Sequence, residues 1–136
     1  MKPKSVRPGQ THTDIWLSYV AGYLDADGCF RWNRTPEVSA TNVFPYTLYQ
    51  LKESFGGSVR SYKNAPDGRT YYQWRSYGDG ALQVVHLILP YLWEKLPQAE
   101  LLLSIRAEEP GAKRSGLIRQ LRSLKQIDYG EKGNEG

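Results

Sequence analysis

The chain has almost none of the residues that staple small secreted or zinc-bound domains. Its 136 residues include a single cysteine, Cys29, which excludes an internal disulfide and fits a reducing, intracellular compartment. The two histidines, His12 and His86, stand far apart in the sequence, and with one cysteine they exclude a structural zinc site. Any bound metal is therefore expected to be a hard cation held by oxygen ligands.

Long apolar runs are also missing. The longest candidate, residues 81–96, contains glutamine, histidine and proline, so we expect neither a membrane span nor a membrane partner. No basic segment followed by an apolar one opens the chain, and we expect no secretory signal. With 40% hydrophobic residues and four tryptophans, the composition predicts one folded domain with a real core.

The charge balance is basic, with a formal net charge of +4 and a pI near 9.2. This permits an anionic partner without requiring one. The composition shifts along the chain predict a flexible basic arm over residues 1–12, a domain over residues 13–107 and a helical extension with a tail over residues 108–136. Ten tyrosines and four tryptophans are interleaved with the basic residues, which cluster at three places: Lys2, Lys4 and Arg7; Arg31 and Arg34; Arg114, Arg119, Arg122 and Lys125.

Periodicity and turn signals predict an α+β fold with the element order αββαββα, followed by further C-terminal helices. Two hairpins separated by helices favour one four-stranded antiparallel sheet, with the helices on one face and the other face open. The first helix is capped by Thr13 or Asp14. Helices are predicted at 15–25, 46–55, 81–91, 97–107 and 115–127, and strands at 30–33, 38–42, 58–62 and 71–77.

The end of the first helix breaks two local rules. Residues 20–28 read V-A-G-Y-L-D-A-D-G. Gly22 costs about 1 kcal/mol relative to alanine inside a helix. Asp25 and Asp27 put negative charge at the helix end where the dipole is already negative. Two such acids are in most proteins simply solvated, but paired violations of this kind are typical of functional sites.

This stretch resembles the motif that names the LAGLIDADG homing endonucleases. Two other stretches are similar to the family at matching places: Ala40-Thr41-Asn42 with the helix that ends at Phe55-Gly56-Gly57, and the segment of residues 89–100, L-P-Y-L-W-E-K-L-P-Q-A-E. The resemblance covers about residues 14–107. It implies a site-specific endonuclease that makes a double-strand break with short 3′ overhangs and mobilises its own intron or intein gene.

The resemblance also implies a symmetric homodimer, because each catalytic centre of the family needs two motif helices and this chain has one. A two-fold dimer fits a pseudo-palindromic target in double-stranded DNA. Small residues would let the paired helices approach closely. The expected dimer-interface residues are Val20, Ala21, Gly22 and Asp25.

Site residues follow from the same resemblance. Asp27, assisted by the carbonyl of Ala26, is expected to bind Mg²⁺ or Mn²⁺ beside the scissile phosphate. Asn42 is expected to orient the attacking water. Lys95 is expected to stabilise the negative charge of the developing phosphorane. By default Lys95 would be a surface lysine and Asp25 a brace for the turn rather than a metal ligand.

Strand alternation sorts the sheet residues into two faces. Phe30 and Trp32 suit the core, and so do Tyr72 and Trp74 if the last strand keeps this register. The open face would then contact DNA in the major groove, although arginines there could also merely solvate an exposed sheet. The candidates are Arg31, Asn33, Glu37, Ser39, Thr41, Ser58, Arg60, Tyr62, Gln73 and Arg75.

A second class of function stays open, namely a nucleic-acid binder of the same fold that does not cleave, such as an RNA splicing maturase or a DNA-binding regulator. The presence of Asp27 and Lys95 favours the nuclease. A third alternative, a small structural module with a fortuitous motif, would need all three stretches to match the family by coincidence, and it is disfavoured for that reason. His86 is expected in or near the core, and Cys29 at the sheet edge.

Overall fold

The computed structural model describes residues 13–135, with side chains described for residues 13–124, so the predicted arm over residues 1–12 lies outside the described part. The element order αββαββα is confirmed, and two more helices follow it. The helices are α1 (Asp14–Asp27), α2 (Tyr46–Phe55), α3 (Gly78–Ile88), α4 (Leu96–Ala107) and α5 (Ala112–Glu135). The strands are β1 (Gly28–Trp32), β2 (Pro36–Asn42), β3 (Ser58–Lys63) and β4 (Thr70–Tyr77).

The four strands form one antiparallel sheet in the order β1-β2-β4-β3. One face carries Phe30, Val38, Ala40 and Trp74, all at most 2% exposed, and packs against the helices. The opposite face carries Arg31, Glu37, Ser39 and Arg75 and the outward residues of β3. The α+β class, with helices on one face, is therefore confirmed, and so is the predicted register of β4.

Helix α1 starts at a side-chain cap and ends at the motif. The backbone N–H of Trp16 donates to Thr13 Oγ1 at 3.2 Å, which confirms Thr13 as the cap. Trp16, Val20 and Leu24 recur at helical spacing and are buried in the core. The Gly28 N–H donates to the Leu24 carbonyl, so the helix continues through Asp27, two residues beyond its predicted end.

The described part of the C-terminal extension packs on the same core. Leu121 in α5 is 2% exposed and belongs to the main hydrophobic cluster. Arg114 donates through Nε to the Ile105 carbonyl at 2.9 Å, and its guanidinium lies 4.8 Å from the centre of the Trp32 ring. Among the described residues no helix is both long and apolar enough to cross a membrane.

Two local predictions need correction in α3. The helix begins at Gly78 rather than residue 81, and it ends at Ile88, where a 3₁₀ turn (Leu89–Tyr91) takes over because Pro90 lacks an N–H to continue the helix. His86, expected in or near the core, is exposed. Its apolar sequence neighbours face inward while its own position on the helix points outward.

Candidate active site and nucleic-acid interface

Three predicted site residues meet at the C-terminal end of α1. Asp27 is the last residue of the helix and is exposed. Asn42, the last residue of β2, places its Nδ2 at 3.4 Å from Asp27 Oδ2. Lys95 comes from the loop before α4, and its Nζ donates to the carbonyls of Gly28 at 2.9 Å and Leu24 at 3.2 Å. A helix, a strand and a loop thus contribute one polar group each.

Lys95 and Asp25 fix the loop to the helix end. The Asp25 carboxylate accepts the backbone N–H of Trp93 at 2.9 Å and that of Lys95 at 3.0 Å. The Lys95 ammonium in turn lies against the carbonyl of Leu24, in the last turn of the helix, and that of Gly28 just beyond it, where the dipole favours a cation. The acid at position 25 therefore braces the loop that carries Lys95, and the two N–H groups offset its unfavourable charge at the helix end. Its side chain also borders the groove beside Gly22, and its place in a dimer interface stays a prediction.

Two further residues shape this end of the helix. The Tyr23 hydroxyl accepts from Asn42 Nδ2 at 3.2 Å, so Tyr23 and Asp27 share one amide. Burial raises the pKa of Tyr23 above 10.0, the Asn42 hydrogen bond opposes this, and the Asp27 charge adds to it. A Cβ on Gly28 would lie 2.7 Å from the Leu24 carbonyl oxygen, so only glycine fits there. Tyr23 could have been found from its spacing of one helical turn before Asp27.

The donor set at this place fits a hard divalent cation only in part. Asp27 offers an exposed carboxylate next to the exposed Ala26, whereas both oxygens of Asp25 accept backbone N–H groups. Among the described residues no group of three or more His, Cys, Asp or Glu could hold a metal. Mg²⁺ is often held by one or two carboxylates together with substrate phosphates and water, so a single exposed carboxylate is compatible with this ion but does not make a closed site.

The exposed side of α1 differs from the predicted dimer face. Val20 and Ala21 are fully buried within the chain, so their side chains cannot contact a second chain. Besides Asp14 and Asp27 at its two ends, the exposed residues of the helix are Ile15, Ser18, Tyr19, Gly22 and Ala26. The prediction missed this because Val20 and Ala21 fill the core on the opposite side of the helix.

Gly22 is the smallest residue on this exposed side. A Cβ built there meets nothing within 4 Å, so nothing within the described chain requires glycine. Beside it lies an open groove of about 610 Å³, bordered by α1 and by the segment from Pro90 to Glu94. Trp93, on the rim of this groove, is 84% exposed.

The open face of the sheet brings together most of the predicted DNA-contacting residues. Register places Arg31 opposite Glu37, Ser39 opposite Arg75 and Thr41 opposite Gln73 on this face. The outward residues of β3, Ser58, Arg60 and Tyr62, are exposed and continue the same surface. Asn33 is exposed just past the end of β1.

Glu37 and Ser39 lie on this face but are nearly closed to solvent, at 2% and 6% exposure. The Glu37 carboxylate accepts from Arg31 Nε at 2.7 Å, and Arg75 Nε lies 3.8 Å away. Strand alternation predicted the face correctly but could not show that two arginines from neighbouring strands cover the carboxylate. Direct contact of Glu37 with a base is therefore disfavoured.

Arg75 is held on its other side by the predicted DNA-contacting residue Gln73 and by Tyr77, which was not among the candidates. Its Nη1 donates to the Tyr77 hydroxyl at 2.7 Å and its Nη2 to Gln73 Oε1 at 3.0 Å. The bond to Tyr77 raises the pKa of the guanidinium above its ordinary value, burial opposes this, and Glu37 adds to it.

Tyr71 stacks on Tyr62, with ring centres 5.9 Å apart. Tyr71 and Tyr77 each lie two residues from a predicted position of β4. Strand alternation places them on the same face and could have identified them.

Comparison of the whole chain with known proteins gives matches among solved structures. No family model matches the sequence, and no curated protein sequence is significantly similar. The homing endonuclease I-CvuI, in complex with its target and 2 mM Ca, superposes with a TM-score of 0.65 at 23% identity, over 81% of this chain and 82% of that chain. This chain has the LAGLIDADG homing endonuclease fold.

Two further structures share this LAGLIDADG fold. I-CvuI in complex with the I-CreI target in the presence of 2 mM Mg, with the DNA not cleaved, gives a TM-score of 0.58 at 24% identity, over 79% of this chain and 75% of that one. The archaeal intron-encoded homing endonuclease I-Vdi141I, complexed with DNA, gives 0.54 at 14% identity, over 83% and 98%. The resemblance read from the motif is confirmed at the level of the fold.

Proposed function

We propose that the chain is a site-specific DNA endonuclease that depends on a divalent metal and acts as a symmetric homodimer. The observation that carries the proposal is the meeting of Asp27, Asn42 and Lys95 at one exposed helix end. The neighbouring folds are homing endonucleases in complex with DNA, which supports a DNA duplex as the partner. By the same reasoning the enzyme would serve the mobility of its own intron or intein.

The exposed side of α1 supports the homodimer. Gly22 weakens the helix by about 1 kcal/mol relative to alanine, and no contact within the described chain requires it. Close approach of a second α1 would account for it, since a glycine lets two helix backbones come together. A two-fold axis that runs along the helix pair would bring the two copies of Asp27 to the same end of it.

Each site residue then has a distinct task. Asp27 and the Ala26 carbonyl would hold Mg²⁺ or Mn²⁺, which when bound supplies Lewis-acid polarisation of the phosphoryl group. Asn42 Nδ2 donates to both Tyr23 and Asp27, and its Oδ1 accepts from the Phe44 N–H, so the second lone pair of Oδ1 would hold a water beside the carboxylate. Lys95 keeps a cation next to the helix end, where it would offset negative charge as the phosphodiester is attacked.

Cleavage by purified protein tests the proposal. Duplexes recovered from randomised DNA by repeated rounds of binding are incubated with Mg²⁺, and the expected product is a double-strand break within the selected sequence. Asp27→Asn should bind the same duplexes and abolish cleavage. Asp79→Asn, which removes the same charge from a side chain that is 87% exposed in α3, is the matched control and should cleave normally.

The main competing function is recognition of nucleic acid without cleavage. Tight, selective binding with no cleavage under Mg²⁺ or Mn²⁺ would contradict the nuclease and favour a DNA-binding regulator. Preference for a structured RNA over every duplex would favour a splicing cofactor instead.

A further inference from the structure

Glu37 lies on the open face, near the start of the inner strand β2. It lies between Arg31 on β1 and Arg75 on β4, and its side chain is 2% exposed. Arg31 approaches it side-on, with Nε at 2.7 Å from Oε2 and Nη2 at 3.4 Å from Oε1. Arg75 Nε stands 3.8 Å from Oε2. The carboxylate cannot present an acceptor to a base edge without leaving these arginines.

The two arginines differ in what they have left to offer. Each Nη group of Arg75 donates one of its two N–H bonds within the chain, to Tyr77 and to Gln73, and the side chain is 24% exposed. Arg31 uses Nε and one hydrogen of Nη2 on Glu37, and its side chain is 43% exposed. A guanidinium has five N–H donors in a planar fork, so the outer edge of Arg31, with Nη1 and the second Nη2 hydrogen, faces away from Glu37.

That outer edge has the geometry of bidentate recognition of guanine at O6 and N7 in the major groove. We propose that Glu37 is a positioning residue that fixes Arg31 for reading one guanine in each half-site. The inference rests on the proposed function, because it requires a duplex on the open face. A direct role for Glu37 would instead be acceptance from the N4 amino group of cytosine.

Selection from randomised duplex DNA distinguishes these roles. Wild type, Arg31→Lys and Glu37→Gln are each put through the same binding selection, and base preferences at every position are compared by sequencing. Arg31→Lys keeps the charge but loses the fork, so it should reduce preference for a symmetry-related pair of guanines by about 5- to 150-fold. Glu37→Gln should reduce preference at those same positions. It should not weaken binding to unrelated duplexes, since it removes a negative charge.

Two controls keep the test decisive. Arg119→Lys makes the same chemical change on the exposed side of α5 and should leave the preferences unchanged. Glu37→Asp keeps the charge but shortens the side chain, so it should also reduce the guanine preference. It takes the place of Glu37→Gln in the comparison should that variant not fold. Thermal unfolding followed by circular dichroism establishes which variants are folded.

Other outcomes overturn the inference. Retention of the guanine preference by Arg31→Lys would remove Arg31 as the reader. Loss of a cytosine preference at a different position in Glu37→Gln would make Glu37 a direct contact. Either result leaves the nuclease proposal intact. Failure of the wild-type protein to select any duplex would overturn both.

Discussion

Gly22→Ala should have opposite effects on the isolated chain and on the assembly. In the single chain the new Cβ meets nothing within 4 Å, and alanine gains about 1 kcal/mol of helix propensity. For a domain of this size that corresponds to a rise in Tm of about 3–5 °C. If a second α1 packs against this point, the same methyl group overfills the contact at a cost of about 1 kcal/mol or more.

In the proposed symmetric dimer a two-fold axis would double the second effect. Two methyl groups at about 1 kcal/mol each weaken dimerisation about thirtyfold. Sedimentation over a dilution series measures the dissociation constant, and Tm is measured where only monomer is present because a dimer's stability depends on concentration. Gly116→Ala in α5, where a Cβ comes no closer than 3.7 Å to another residue, is the control for propensity alone. An unchanged or tighter dimer in Gly22→Ala would refute a close helix contact at this residue.

Three further predictions concern the same helix end. Asp25→Asn removes one of the two carboxylate oxygens that accept from the Trp93 and Lys95 N–H groups. The free energy of unfolding measured in urea should therefore fall by about 1–3 kcal/mol. An unchanged midpoint would mean that other contacts hold the loop. Gly28→Ala forces a Cβ against the Leu24 carbonyl and should cost about 1–3 kcal/mol and reduce cleavage; full activity would show that the helix end can shift freely. The pKa of Tyr23 is raised above 10.0 by burial first, so folding favours the neutral phenol, and the associated stability is held below pH 10 and lost as pH rises through the folded pKa. The difference in absorbance titration between wild type and Tyr23→Phe should show a phenol that ionises above pH 10, and a midpoint below that would contradict the assignment.

Much of the fold could be predicted because local signals and burial agreed. Helix α2 has the predicted bounds, Tyr46–Phe55, since apolar spacing and the glycine stop point to the same residues. The register of β4 followed from Trp74, which is fully buried. The candidates Asp27, Asn42 and Lys95 came from three separate stretches that resemble the family, and only the fold shows that they lie at one helix end.

The misses share one physical cause. A sequence pattern gives the side of a helix or strand, but it does not give what covers that side. Ala21 is small enough for a close contact between two helices, yet it faces the core, while Gly22 next to it faces out. Glu37 was assigned to the correct face, but the two arginines that enclose it come from strands 6 and 38 residues away in sequence. Contacts at such separations depend on the assembled sheet.

The single carboxylate between Arg31 and Arg75 also limits how this surface can diversify. Residues at the rim, such as Arg60 and Tyr62, are exposed and can be exchanged one at a time. Positions 31, 37 and 75 cannot be exchanged independently. Substitution of Arg31 leaves Glu37 with one of its two arginine partners, and substitution of Glu37 leaves both arginines without their carboxylate. Evolution toward a new DNA target would therefore use single substitutions at exposed positions such as Arg60, and linked substitutions at Arg31, Glu37 and Arg75.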